Sequence, residues 1–85
     1  MQLKDKKINV NSSTLSNLVN ELKQECQNVL SLVNQLELSN LSDEQKGEIL
    51  AELLVSSIHL NGHCNEDFQE LISNELDNID NDDRQ

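Results

Sequence analysis

Tryptophan, tyrosine and proline are absent from the chain, and Phe68 is its only aromatic residue. A hydrophobic core must therefore come from leucine, isoleucine and valine, with almost no large rings to anchor it. Two glycines, Gly47 and Gly62, are too few for a phosphate-cradling loop. Two cysteines, Cys26 and Cys64, allow at most one bridge, and the opening MQLKDKKINV puts charges where a secretory signal needs an apolar segment. The expectation is a cytoplasmic protein with both thiols reduced and buried. No apolar run approaches the roughly 18 residues that cross a bilayer.

Basic residues are also scarce. Six Lys and Arg stand against 16 Asp and Glu, a formal net charge of −10. The ends differ: Lys4, Lys6 and Lys7 outweigh Asp5 at the start, whereas residues 64–85 set eight carboxylates against Arg84 alone. Such a surface repels phosphate backbones and anionic headgroups, which disfavours direct nucleic-acid or membrane binding and favours a basic protein partner.

What the chain does have is helical periodicity. At 85 residues it is one small domain, of a size that hides only about 60–65% of its unfolded surface. Its hydrophobic content is 35%, and thin aliphatic cores of this kind commonly gain stability by oligomerising. After the N-cap types Asn11-Ser12-Ser13-Thr14, apolar residues recur at Leu15, Val19, Leu22, Cys26, Val29, Val33 and Leu36, a heptad seam. Leu18, Leu30 and Leu32 widen the seam, which suits a helix facing more than one neighbour. Ser42-Asp43-Glu44-Gln45 is a capping box that opens a second helix. That helix is expected to bury Ile49, Leu50, Leu53, Leu54 and Ile58. Its polar stripe would be Glu48, Glu52, Ser56 and His59, and a left-handed Gly62 would end it. Asn65 caps a third helix with an apolar face of Phe68, Leu71, Ile72 and Leu76 that can extend to Ile79.

Two constellations could carry chemistry. His59, His63 and Cys64 have metal-ligand side chains, with Cys26 a conceivable fourth. Gly62 between the histidines is expected to break their spacing, so no stoichiometric zinc is expected. Glu21, Glu25, Glu48 and Glu52 could present carboxylates from adjacent antiparallel helices to Mg²⁺. Glu48 and Glu52, followed by a turn and a short helix, resemble the layout of helical nucleotide pyrophosphohydrolases of the MazG-like type. The resemblance implies metal-dependent pyrophosphate cleavage, but it is confined to the second and third helices. The family's paired adjacent glutamates and its phosphate-holding basic residues have no counterparts here. A solvated face is the plainer account of these four carboxylates.

The sequence thus predicts an all-α fold: a small three-helix bundle made of a long antiparallel hairpin (13–37 and 43–60) and a short third helix (66–77). The bundle is expected to dimerise through its first two helices. Residues 1–12 are expected to form a flexible arm, 13–77 the helical domain and 78–85 a disordered acidic tail. The expected function is that of an acidic regulatory or adaptor protein, of the inhibitor, antitoxin or immunity type. It would bind a basic protein through Glu66, Asp67, Glu70, Glu75 and Asp77. A metal-dependent enzyme and a nucleic-acid-mimicking inhibitor are the alternatives. No catalytic, cofactor or metal residue is assigned.

Overall fold

The computed structural model describes the backbone of residues 7–83 and the side chains of residues 7–79. The first six residues of the expected arm and the last two of the expected tail lie outside that range. Among the described residues the only regular elements are three helices: α1, Ser13–Leu36; α2, Asp43–His63; and α3, Glu66–Asp83. No described helix is long and apolar enough to cross a membrane.

Each helix starts where local chemistry satisfies its orphan amides. The Ser12 hydroxyl accepts from the Leu15 amide at 3.1 Å, and the Asn65 side chain accepts from the Phe68 amide at 2.9 Å. Ser42 and Gln45 form the reciprocal capping box, at 3.0 and 2.9 Å. α1 ends in a turn in which Asn40, not a glycine, takes the left-handed conformation with φ of 65°. Asparagine tolerates that region better than most side chains.

The far ends depart from expectation. Gly62 has no positive φ and lies inside α2, which runs on to His63 with Cys64 as its C-cap. A helical backbone keeps its bonded geometry through an isolated glycine at a modest entropic cost, so Gly62 alone does not end it. α3 continues to Asp83 rather than fraying after Asp77. Ile72, Leu76 and Ile79 continue one helical face into the stretch expected to be tail, but that face is exposed and not packed as expected.

α1 and α2 pack as an antiparallel hairpin. Asn28 meets Ser56 and Glu25 meets His59 and His63, while Gln35 and Leu38 border Gln45 and Ile49 at the other end. α3 packs on α1 and makes hardly any contact with α2. The core is correspondingly small: Leu15, Leu32, Ile49 and Phe68 are the buried hydrophobic residues. The radius of gyration is 17.5 Å and the extents are 60 × 36 × 18 Å, against about 12 Å for a compact chain of this length.

The seam of α1 is not the expected one. Leu32 is 2% exposed and Leu18 half-buried, whereas Val33 and Cys26 are exposed. The inward positions are Leu15, Leu18, Leu22, Glu25, Val29, Leu32 and Leu36, with Val19 half-buried beside Leu18. This second heptad register shares Leu15, Leu22, Val29 and Leu36 with the expected one. It turns the helix so that Leu32 is buried and Val33 exposed, and the leucine buries more apolar surface than the valine would. It also brings Glu25 inward in place of Cys26. Both cysteines are free and exposed, not buried.

Candidate functional site

α2 presents three different edges. Ile49 and Ser56 are buried against the hairpin, with Leu53, Leu60 and His63 half-buried on the same side. Glu48, Glu52, Ser56 and His59 were expected to form one polar stripe, and Glu48, Glu52 and His59 are exposed. Ser56, by contrast, is only 4% exposed and accepts a hydrogen bond from Asn28 Nδ2 at 2.7 Å. Glu52 and His59 line an open groove of about 470 Å³ between α1 and α2, together with Glu25, Asn28, Ala51 and Val55. The polar edge of α2 is thus turned toward the polar edge of α1.

Glu25 is the hub of that edge. Its side chain is 16% exposed, with Oε1 3.6 Å from His59 Nδ1 and 4.0 Å from His63 Nε2. These separations exceed a hydrogen bond, so the contacts are electrostatic and depend on the imidazoles carrying a proton. Because the helix continues through Gly62, His59 and His63 do share an edge of α2, and the expected break between them does not occur. Even so, no three His, Cys, Asp or Glu side chains among the described residues converge as a metal-binding group. Of the four carboxylates considered for Mg²⁺, Glu25 and Glu52 share the groove. Glu48 borders a separate hollow with Gln45 and Ile49, and Glu21 borders neither.

The third edge of α2 is apolar and open. Leu50, Leu54, Val55 and Ile58 are 51%, 62%, 51% and 61% exposed. Three of these were expected in the core. At 100° per residue, Leu50, Leu54 and Ile58 lie within about 80° of one another and on the side away from α1. Gly47 falls on this same side, no charged residue interrupts it between Gly47 and Ile58, and Ala51 and Val55 border it where it meets the groove. A helix with apolar residues all round belongs between two neighbours, and here it has one. Leu30 on α1, 60% exposed, is a further uncovered apolar residue.

The five acidic residues expected to meet a partner separate into two groups. Glu66, Asp67, Glu70 and Asp77 are exposed. Of these, Glu66, Glu70 and Asp77 share the outer face of α3, opposite Phe68. Glu75 is 8% exposed and points inward, where its Oε2 accepts from the Asn11 amide at 2.8 Å. It ties the segment before α1 to α3, so it is withdrawn from the contact surface. Its position seven residues after Phe68, on the same helical face, was the available signal.

Compared with known proteins, the chain matches no family model, no curated protein and no solved structure.

Proposed function

We propose that this protein works by association, as a small acidic helical adaptor or inhibitor that binds a basic protein partner. The observation that carries the reading is the outer face of α3, where Glu66, Glu70 and Asp77 stand exposed together, and on α2 Leu50, Leu54, Val55 and Ile58 are each more than half exposed as well. Contiguous exposed apolar surface on a small protein marks an interaction site. Dimerisation belongs to the same reading, because it covers surface that the hairpin leaves open. The nature of the further partner follows from charge: Glu66, Asp67, Glu70 and Asp77 stand exposed on α3 of a chain with net charge −10, which attracts basic surfaces.

The test is site-specific photocrosslinking in living cells from a reactive residue in place of Glu70, on the acidic face of α3. The expected result is a discrete adduct with a basic protein, abolished when Glu66, Asp67 and Asp77 are all changed to Lys. An adduct that survives those changes, or the absence of any adduct from this position, overturns the assignment of the partner to the acidic face.

A further inference from the structure

We infer that the outer face of α2 is the seat of a second copy of this chain, docked antiparallel with Leu54 on the two-fold axis. The inference rests on the reading of that face as an interface and names what covers it.

The strip is self-complementary. In an antiparallel pair of α2 helices centred on Leu54, each Leu54 meets its own counterpart. Leu50 then meets Ile58 of the other copy, and Gly47 meets Asn61. Every opposition along the centre is apolar on apolar or between small uncharged residues, as an isologous interface requires. The antiparallel sense also suits the charges. It sets the two helix dipoles in opposite directions and sends the acidic first turns, Asp43 and Glu44, to opposite ends. In such a two-fold pair the same flanks of the two helices adjoin in reverse order. Glu48 and His59 both lie on the side of α2 toward α1, outside that contact.

A basic partner is a poorer occupant for this strip, because nothing at its centre pairs with a cation. A second copy also supplies what the chain lacks. Among the described residues four hydrophobic side chains are buried, and a facing α2 would place that helix between two neighbours, as its composition asks. The strip from Gly47 to Asn61 is about 22 Å long at 1.5 Å per residue. An interface of that length and one helix width lies at the small end for specific association, so the dimer should be a micromolar one.

The experiment uses the full chain in a Cys26→Ser, Cys64→Ser background, because both native thiols are exposed. Sedimentation velocity from low to several hundred micromolar should show a concentration-dependent monomer–dimer equilibrium. Leu54→Glu, which sets two carboxylates against each other on the axis, should weaken it by at least about tenfold. Leu54 is largely exposed, so the helical circular dichroism of that variant should match the parent. Under mild oxidation Leu54→Cys should form a disulfide-linked dimer readily, because a residue on the axis faces itself, while Glu70→Cys should not.

A monomer at every concentration overturns the inference, as does equal crosslinking from Leu54→Cys and Glu70→Cys. If Leu54→Cys in cells links only to a different protein, self-docking is wrong and the face belongs to that protein. Survival of the photocrosslink from Glu70 in a monomeric chain sinks this inference alone. A dimer with no such crosslink sinks the basic partner instead.

Discussion

Glu25 occupies a position on the packing seam that an apolar residue would ordinarily fill. It is tolerated there because it lies at the edge of an open groove, still partly wet, with two imidazoles near its carboxylate. The gain is at its neighbours, since the register that admits Glu25 also buries Leu32 and partly buries Leu18. This makes the two registers separable by mutation. Leu32→Ala should destabilise the fold by about 2–5 kcal/mol, the usual range for a buried leucine. Cys26→Ala, at an exposed position, should stay within about 0.5 kcal/mol of the parent. Chemical denaturation of the two variants decides the matter: similar losses at both sites would restore the register through Cys26. The sequence could not choose between them by spacing, because four of the seven seam residues are common to both. The registers part most clearly at one pair, where the larger Leu32 is buried and Val33 exposed, and that difference in size was available.

At the scale of the element, what was legible depended on the range of the interaction. The starts of all three helices could be read because a cap is a contact between residues three apart, as at Ser12, Ser42 and Asn65. The sidedness of α2 could not be read. With apolar residues nearly all round, its periodicity favours no face. Its orientation is set by its pairing with α1, through Asn28 with Ser56 and Glu25 with the histidines. The result is that Leu50, Leu54 and Ile58, expected inside, are outside. The end of α2 was misread for a different reason: a glycine near a helix terminus was given the role of a left-handed cap that Gly62 does not play. A substitution tests this directly. A Cβ at Gly62 would meet nothing within 4 Å, and its backbone is helical, so Gly62→Ala should stabilise the protein by roughly 0.5–1 kcal/mol. Were Gly62 left-handed, the same change would lower the melting temperature. A rise supports the longer α2, and a fall removes it.

For the whole molecule the decisive quantity is charge, because shape alone leaves two kinds of exposed surface with different uses. The apolar strip of α2 lies on one helix and the exposed acids Glu66, Asp67, Glu70 and Asp77 on another, and the two helices barely touch. Self-association and binding of a basic partner can therefore proceed at separate places. Hydrophobic docking is little affected by moderate salt, whereas exposed charges are screened beyond about 8 Å at physiological ionic strength. The two associations should respond oppositely to added salt. Dimerisation should hold or strengthen, because screening relieves repulsion between two chains of net charge −10 each. Capture of the basic partner should slow, since electrostatic complementarity acts mainly on the association rate. Changing Glu66, Asp67, Glu70 and Asp77 together to Lys should lower that association rate by about tenfold or more and change the dissociation rate far less. Glu75 is left in place because its carboxylate holds the Asn11 amide, and altering it would confound binding with folding. Stopped-flow association of the crosslinked partner, measured at low and high salt, checks all of this in one series. An association rate indifferent to both salt and the four reversals would move the partner's contact off α3, leaving the exposed polar face of α1 formed by Asn20, Gln24 and Gln27, on the side away from α2, as the surface to mutate next.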